Sequence, residues 1–276
     1  LHLAADRPQA DALLAAGTTA IAYETVQLPN GMLPLLYPMS EVAGCLAPAV
    51  GAHCLMIPQG GRGVLMGGVG GVRNAKVVVL GGGVAGQNAA SVAVGMGADV
   101  TVLDTDLTKL RELMWHLPGV EGLMSTGLSV REQVLQADLV IGTVLVPGAK
   151  APKLVTNEMV AHMKPGSVLV DVAIDQGGCF EDSRPTTHDD PTFQVHKSTF
   201  YCVANMPGAV SHTSTWALTN ATLPYVLALA DRGWREALAS DPSFAKGLNT
   251  HAGQVTSEAV ASALGFDHTP VDDVLR

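Results

Sequence analysis

The segment KVVVLGGGVAGQNAAS, residues 76–91, decides the fold that this sequence predicts. Residues 76–80 form a short apolar run of the kind found in buried parallel strands. The run leads directly into the motif Gly81-x-Gly83-x-x-Gly86, and residues 84–97 are rich in alanine and valine, as in a helix. A strand, three spaced glycines and a helix in this order predict a turn that binds the pyrophosphate of a dinucleotide.

The alternation of strand and helix continues on the C-terminal side of this segment. It predicts a parallel sheet with helices on both faces, and six strands in this order predict a complete doubly wound dinucleotide-binding (Rossmann) fold. The predicted strands are residues 76–80, 99–103, 122–124, a stretch within 137–146, 167–174 and 200–204. The predicted helices are residues 84–97, 107–114, 129–136 and 156–163.

The flanking sequences have a different pattern. Residues 8–16, 213–240 and 254–265 are helical in pattern, and residues 18–23 are strand-like. We therefore predict that an NAD-binding domain of residues 35–211 is inserted in a second, discontinuous α/β substrate domain, formed by residues 1–34 and 212–276. Because the chain begins with Leu1 rather than Met and its first residues resemble a domain interior, we expect that an N-terminal segment precedes Leu1.

Composition and charge exclude several classes of protein. Of the 276 residues, 47% are hydrophobic and 15% charged, which is typical of a folded globular chain. A net charge of −9 makes sequence-independent nucleic-acid binding a poor interpretation. No apolar run approaches the roughly 18 residues that a membrane span needs. The four cysteines form no C-x-x-C pair or zinc-finger spacing, so we expect no metal site and a cytoplasmic location.

Each glycine of the motif has a distinct predicted task. The first permits a tight turn, the second lets a pyrophosphate approach the backbone, and the third lets the helix pack closely on the strand. Asp104, 23 residues beyond Gly81, ends the second predicted strand. A carboxylate there accepts hydrogen bonds from the ribose hydroxyls of NAD and repels the additional phosphate of NADP. The alternative is that the glycines only make a turn and that Asp104 caps the following helix.

A second glycine cluster covers residues 60–63 and 67–71. It has no preceding strand and no following helix N-terminus. We therefore favour a flexible approach to the first strand over a second phosphate site.

Two polar segments follow predicted strands at the edge of the sheet where α/β proteins bind ligands. Asp175 follows the strand at 167–174 and precedes Gln176-Gly177-Gly178, so its carboxylate is a catalytic candidate near the nicotinamide. The alternative is a loop cap whose side chain binds nearby N–H groups. Asn205 begins Asn205-Met206-Pro207, which either contacts the nicotinamide or only terminates the sixth strand. Most of the nine histidines are interpreted as solvated or satisfied residues.

Seven stretches also match a known family in order: LHLAA at 1–5, IAYET at 21–25, PMSEVAG at 38–44, GGRG at 60–63, LVPGAKAPK at 145–153, DVAIDQGG at 171–178 and VANMP at 203–207. Through them the chain resembles the alanine dehydrogenases, within the larger group that includes the nucleotide-binding subunit of proton-translocating transhydrogenase. The transhydrogenases share the glycines and a similar Gln-Gly-Gly turn. The histidine segment and the Pro-Gly-Ala-Lys-Ala-Pro stretch favour alanine dehydrogenase.

The resemblance implies an enzyme of L-alanine catabolism, a homohexamer that uses NAD for the reversible oxidative deamination of L-alanine to pyruvate and ammonia. It implies that His2 is the catalytic proton donor and acceptor, and that Asp175 is the catalytic aspartate beside the nicotinamide. It implies that the NAD-contacting residues are Ser40, Gly81, Gly83, Val84, Ala85, Gly86, Asp104, Lys109, Ser125, Val144, Leu145, Val172, Ala173, Ile174, Asp175, Val203, Ala204, Asn205 and Met206. The substrate-binding arginine and lysine of the family precede its catalytic histidine, so we expect the residues that hold the alanine carboxylate to precede Leu1.

Two alternatives remain open from the sequence. One is the transhydrogenase subunit, which passes hydride between nucleotides and docks on a membrane partner. The other is a truncated NAD-binding fragment without turnover.

Overall fold

The computed structural model describes residues 1–144 and 151–276. The strands of this part of the chain are β1 (Ala20–Ile21), β2 (Lys76–Leu80), β3 (Asp99–Asp104), β4 (Val120–Met124), β5 (Leu139–Gly142), β6 (Val168–Asp171), β7 (Thr192–Val195), β8 (Ser198–Tyr201), β9 (Leu248–His251) and β10 (Gln254–Val255). Its helices are α1 (Arg7–Ala15), α2 (Tyr37–Cys54), α3 (Val84–Gly95), α4 (Leu107–His116), α5 (Gly127–Gln136), α6 (Asn157–Ala161), α7 (Ser211–Ala239), α8 (Pro242–Ala245), α9 (Glu258–Leu264) and α10 (Val271–Leu275).

The chain divides into two compact units. Ser40–Ser211 form one unit, and Leu1–Met39 together with His212–Arg276 form the other. The division predicted from the sequence, with a nucleotide-binding domain at residues 35–211, stays a prediction about function. Within the described residues, no helix is both long enough and apolar enough to cross a membrane.

The unit Ser40–Ser211 contains a seven-stranded sheet in the order β4-β3-β2-β5-β6-β8-β7. All neighbours are parallel except β7, which pairs antiparallel with β8 at the edge. The predicted α/β fold with a doubly wound parallel sheet is therefore confirmed. The chain leaves β2 in one direction toward β3 and later returns to the other side of β2 as β5. This reversal is the point at which doubly wound sheets bind ligands, beyond the carboxyl ends of the strands.

The sequence of β2 explains its central place in the sheet. Successive side chains of a strand point to opposite faces, and Val77 to Leu80 are all fully buried. Val77 and Val79 pack in a core with Ala89 and other residues of α3, whereas Val78 and Leu80 pack in a second core that includes Val130 of α5. A continuous apolar run is stable only when both faces are covered in this way.

The other unit contains a smaller, antiparallel sheet in the order β1-β9-β10. Its strands β9 and β10 are joined at Ala252 and Gly253, which both have positive φ, 48° and 81°. Two such residues form the tight turn that suits a hairpin. The prediction that residues 254–265 are entirely helical is therefore wrong, because residues 254–255 pair with β9 and α9 begins only at Glu258.

Three predicted strands are too long. The strand predicted at 18–23 is confined to Ala20–Ile21, and the strand predicted at 200–204 ends at Tyr201. The strand predicted at 167–174 ends at Asp171 because that side chain accepts a hydrogen bond from the backbone N–H of Ala173, which turns the chain. A short 3-10 helix, Ile174–Gln176, follows. In the stretch 137–146, β5 occupies only Leu139–Gly142, and residues 145–146 lie outside the described residues.

Candidate functional site

The turn between β2 and α3 has the geometry that its glycine spacing predicts. Gly81 has φ 105°, which residues with a side chain rarely adopt. A Cβ atom at Gly86 would lie 1.8 Å from the carbonyl oxygen of Gly81, so α3 starts in direct contact with the turn. A Cβ atom at Gly83 would meet no heavy atom of the described residues within 4 Å, so these residues leave open space there. Gly81 thus permits the tight turn, Gly86 lets the helix pack closely on it, and Gly83 leaves room for a ligand to approach the backbone.

The first turn of α3 offers backbone donors to this open space. Gly83 is the N-cap residue, and no side chain in the described part of the chain caps the helix. The first N–H groups of a helix have no partner within it, and the helix dipole places partial positive charge there. The turn itself is held by Gln87, whose side-chain amide donates to the carbonyl of Gly82 at 3.0 Å. Uncapped donors beside an open approach are suited to an anion such as a pyrophosphate.

Asp104 connects the end of β3 to the glycine turn. Its Oδ2 accepts a hydrogen bond from the backbone N–H of Gly82 at 2.6 Å, and its Oδ1 accepts one from that of Asp106 at 2.8 Å. The N-cap of α4 is Asp106, whose side chain accepts from the N–H of Thr108. The alternative in which Asp104 caps this helix is therefore wrong. The half-buried carboxylate of Asp104 stands instead beside the predicted pyrophosphate turn.

Other predicted residues lie on α4 and at the ends of the strands next to β2 and β3. The backbone N–H of Ser125 donates to the carbonyl of Asp104 at 2.9 Å, which places the end of β4 next to the end of β3. Lys109 is exposed on the first turn of α4. Val144 follows β5, and its Cγ2 would lie 3.1 Å from a Cβ atom at Gly81. Leu145 lies outside the described residues.

Helix α2 brings Ser40 into the same unit. Ser40 lies in the first turn of α2, and a Cβ atom at Gly44, one turn later, would lie 2.3 Å from the carbonyl oxygen of Ala85. Helix α2 thus packs against the first turn of α3, which carries Val84, Ala85 and Gly86. Only the family resemblance indicates Ser40 as an NAD-contacting residue, because the sequence pattern predicts no helix at residues 37–54.

The segment of Val203, Ala204, Asn205 and Met206 follows β8 after a short gap. The prediction that Asn205 directly ends the sixth strand is wrong, because β8 ends at Tyr201. Asn205 is exposed and has left-handed backbone angles, φ 56° and ψ 52°, at the start of a 3-10 helix. Its carbonyl oxygen lies 3.2 Å from the Nε2 atom of His188.

Asp175 lies in the 3-10 helix that follows β6, together with Ile174 and preceded by Val172 and Ala173. Its side chain is exposed and, among the described residues, takes part in no hydrogen bond or ion pair. In the described part of the chain, no backbone N–H group of the loop donates to the Asp175 side chain, as the loop-cap alternative requires.

The residue that binds the loop is Asp171, which the sequence reasoning did not single out. Its side chain is fully buried at the end of β6. Burial raises the pKa of Asp171, and hydrogen bonds from Ser183 and from backbone N–H groups oppose that rise. Burial, together with the charge of Asp171, raises the pKa of the neighbouring thiols of Cys179 and Cys202 to about 12. In the sequence, the signal for this buried carboxylate is a single aspartate directly after the apolar run Val168–Val170.

His2 belongs to the other unit. Its backbone is left-handed, with φ 52° and ψ 37°, and its side chain is exposed. Its backbone N–H donates to Oε1 of Glu24 at 2.7 Å, whereas Oε2 of Glu24 is buried without a partner among the described residues. Because His2 and Asp175 lie in different units, their action as a catalytic pair stays a prediction.

Part of the second glycine cluster is packed against protein, whereas a Cβ atom at Gly70 or Gly71 would meet no heavy atom of the described residues within 4 Å. A Cβ atom at Gly61 would lie 2.2 Å from the carbonyl oxygen of Cys54. Arg62 and Lys164 both pair with Asp138, at 3.2 Å and 3.0 Å. The cluster thus connects α2 to the start of the sheet.

Comparison with known proteins identifies the family. The family model described as alanine dehydrogenase/PNT, C-terminal domain, matches residues 47–258. An alanine dehydrogenase of Mycolicibacterium smegmatis is 66% identical over 98% of this chain and 73% of its own length. The chain belongs to the alanine dehydrogenase family. The resemblance found in the sequence is therefore confirmed.

Solved structures of the alanine dehydrogenase family and its relatives agree with the fold. An L-alanine dehydrogenase superimposes with a TM-score of 0.91 and 51% identity, over 96% of this chain and 73% of that one. A transhydrogenase from Sinorhizobium meliloti superimposes with a TM-score of 0.77 and 25% identity, over 93% of this chain and 73% of that one. The identity is about twice as high with the L-alanine dehydrogenase as with the transhydrogenase.

Proposed function

We propose that this protein is an NAD-dependent alanine dehydrogenase, which interconverts L-alanine and NAD with pyruvate, ammonia and NADH. The observation that carries this proposal is the 66% identity with an alanine dehydrogenase over 98% of the chain. The glycine turn and Asp104 support the choice of cofactor. We also propose the finer features of the family resemblance: a homohexamer, a cytoplasmic location and a role in L-alanine catabolism.

The residues at the carboxyl end of β2 fit a dinucleotide. The open space at Gly83 and the uncapped first turn of α3 suit the pyrophosphate. Each oxygen of the Asp104 carboxylate accepts one backbone hydrogen bond and keeps a lone pair for a ribose hydroxyl. The same charge disfavours the 2′-phosphate of NADP. When bound, NAD supplies the acceptor for the hydride that leaves the Cα atom of L-alanine.

In this proposal Asp175 stabilises charge on the substrate. Loss of hydride from Cα leaves a cationic imine, so positive charge develops as the reaction proceeds. A fixed carboxylate nearby stabilises the transition state more than the neutral amine that precedes it. The side chain of Asp175, which is exposed and forms no hydrogen bond or ion pair with the described residues, is suited to this task.

His2 is proposed to move protons. Water adds to the imine, and the resulting carbinolamine collapses to pyruvate and ammonia, which requires proton transfer at the substrate oxygen and nitrogen. Imidazole is the side chain that exchanges protons most readily near neutral pH. The backbone of His2 is held by its hydrogen bond to Glu24, while its ring is exposed. This arrangement suits a residue whose ring exchanges protons with a substrate.

The remaining NAD-contacting residues are proposals of the same kind. We propose that Ser40, Lys109, Ser125, Val144 and Leu145 contact the bound dinucleotide. We also propose that Val172–Asp175 and Val203–Met206 lie along its nicotinamide half, because both segments follow parallel strands on the ligand-binding edge of the sheet.

Steady-state formation of NADH tests the proposed function. The full protein is mixed with L-alanine and NAD, and absorbance of NADH is followed; the reverse reaction starts from pyruvate, ammonia and NADH. We expect turnover in both directions with NAD and much less with NADP. Hydride transfer from NADH to an NADP analogue without any turnover of L-alanine would indicate the transhydrogenase activity instead. Binding of NAD without either reaction would indicate a binding protein.

A further inference from the structure

We propose that Asp171 is a positioning residue, which holds the segment of residues 172–183 in the shape that presents Asp175 to the substrate. This inference rests on the proposed function, because Asp175 is the group on which Asp171 acts. Asp171 itself is fully buried and therefore does not touch the substrate.

The carboxylate of Asp171 binds the segment at both of its ends. Its Oδ1 accepts a hydrogen bond from the N–H of Ala173 at 3.1 Å, two residues before Asp175. Its Oδ2 accepts one from the N–H of Cys179 at 2.8 Å and one from the hydroxyl of Ser183 at 2.5 Å. Asp175 thus lies between two backbone groups that share one carboxylate.

The part of the segment between these two ties is internally bonded. The N–H of Gln176 and the N–H of Gly178 both donate to the carbonyl of Ala173, at 2.9 Å and 3.0 Å, and the N–H of Gly177 donates to that of Ile174. These bonds connect the residues on both sides of Asp175 to one another. A change at either tie changes the position of Asp175.

Lys153 complements Asp171 on the same turn. Its ammonium group donates to the carbonyl oxygens of Gly177 and Phe180, at 2.5 Å and 2.9 Å. The carboxylate of Asp171 therefore accepts hydrogen bonds from N–H groups of the turn, and the ammonium group of Lys153 donates hydrogen bonds to its C=O groups. Charged partners make the stronger hydrogen bonds, so this pair fixes the turn more firmly than neutral side chains do.

The glycines of the Gln-Gly-Gly turn also fit this arrangement. A Cβ atom at Gly178 would lie 2.5 Å from Oδ2 of Asp171 and 2.7 Å from the Cβ atom of Ser183. Gly178 has φ 78°, a further reason for glycine at this position. The backbone can wrap the carboxylate this closely only where no side chain intervenes. The structure thus explains Gly178 without reference to a ligand.

Asp171→Asn is the principal test. The amide keeps the size of the side chain but replaces one acceptor oxygen by an NH2 group that faces hydrogen-bond donors. A displacement of about 1 Å at a reacting group costs about 100-fold in rate, so we expect kcat to fall about 10- to 100-fold. The Kd of NADH should change much less than kcat, because the glycine turn is untouched and only the contacts of residues 172–175 with the nicotinamide half are disturbed. Asp182→Asn is the matched control, since Asp182 lies in the same segment and bonds only to Asn157 among the described residues.

A double-mutant cycle tests whether Asp171 acts through Asp175. In the Asp175→Asn background, adding Asp171→Asn should lower kcat by less than about threefold, because the group that it positions is already lost. If Asp171 only stabilises the protein in general, the falls in kcat caused by the two substitutions should multiply. Losses that multiply, or an Asp171→Asn protein with unchanged kcat, would overturn the proposal.

Hydrogen exchange gives a readout that does not depend on activity. The backbone of residues 172–183 should exchange faster in Asp171→Asn than in Asp182→Asn, and unchanged protection would overturn the proposal. If Asp171→Asn does not fold, Ser183→Ala removes the hydroxyl donor to Asp171, and Lys153→Met removes the two hydrogen bonds that Lys153 donates to the turn. Each variant should still lower kcat and speed exchange in this segment. Failure of the unmodified protein to turn over L-alanine would overturn the proposed function, whatever the exchange result.

Discussion

Replacing Gly86 by alanine places a methyl group against the backbone of the glycine turn. The added Cβ atom would lie 1.8 Å from the carbonyl oxygen of Gly81, whereas ordinary contacts begin at 3.4 Å. Helix α3 and the turn must therefore separate by about 1.6 Å, and no side-chain rotation relieves a clash between backbone atoms. We place the cost at the upper end of the range for overpacked sites, about 3 kcal/mol. This corresponds to a fall in Tm of about 6–12 °C.

Two alanine variants in the same element serve as comparisons. Gly83→Ala places its Cβ atom in open space, so Tm should not change. NAD should nevertheless bind about 10- to 100-fold more weakly, because the methyl group keeps the pyrophosphate from a backbone donor. Gly95→Ala, at the other end of α3, also meets no neighbouring atom. It should leave NAD binding unchanged and keep or raise Tm, because alanine favours helices over glycine by about 1 kcal/mol.

The assay combines thermal unfolding with titration of NADH fluorescence on the same preparations. A Gly86→Ala protein that melts like the parent would refute the packing argument. A Gly83→Ala protein that binds NADH normally would refute the assignment of the pyrophosphate to this turn.

Three further predictions follow from individual side chains. Asp104→Ala should weaken NAD binding and narrow the preference for NAD over NADP, and a parent protein that binds NADP more tightly in titrations would contradict the ribose assignment. His2→Ala should lower kcat by about 10²- to 10⁴-fold with normal NADH binding, whereas a small change in kcat with a large loss of Tm would indicate a structural residue. In the native protein Cys45 should react with a thiol reagent before the other cysteines, because it is exposed, whereas burial raises the pKa of Cys54 to about 11 and the pKa of Cys179 and Cys202 to about 12. Mass analysis of the labelled peptides checks this order, and faster labelling of any of the three buried thiols would contradict it.

The parallel sheet could be predicted from the sequence because its strands carry a local signal. The run Lys76–Leu80 is apolar on both faces, and β2 has the bounds that this pattern predicts. The edge strand β7 was missed because its residues, Thr192–Val195, are only partly buried and gain their strand form by pairing with β8. That pairing depends on contacts that local sequence does not reveal.

Helix α2 shows a second limit of local sequence. It contains Pro48 and two glycines, Gly44 and Gly51, which disfavour helices. The glycines instead allow close packing: a Cβ atom at Gly44 would meet the Ala85 carbonyl at 2.3 Å, and one at Gly51 would meet the Leu139 side chain at 2.5 Å. Tertiary packing therefore outweighs the low helix propensity of these residues.

The glycine turn could be predicted from the sequence because the spacing of its glycines is characteristic of dinucleotide-binding turns. The glycine spacing and the acidic residue at the end of β3 predicted a turn that the structure contains, with Asp104 bonded to Gly82. Asp171 could not be identified as a binding group from the sequence. Its importance comes from burial and from partners up to twelve residues away, such as Ser183.

The most direct test of the account follows the hydrogen atom of L-alanine. The protein is supplied with NAD and with L-alanine that carries deuterium at Cα, and the NADH formed is purified and examined by mass spectrometry and NMR. If this protein is an alanine dehydrogenase, the deuterium is found at C4 of the nicotinamide, and pyruvate forms in equal amount. NADH without deuterium, or no NADH at all from a protein that binds NAD, would contradict the account.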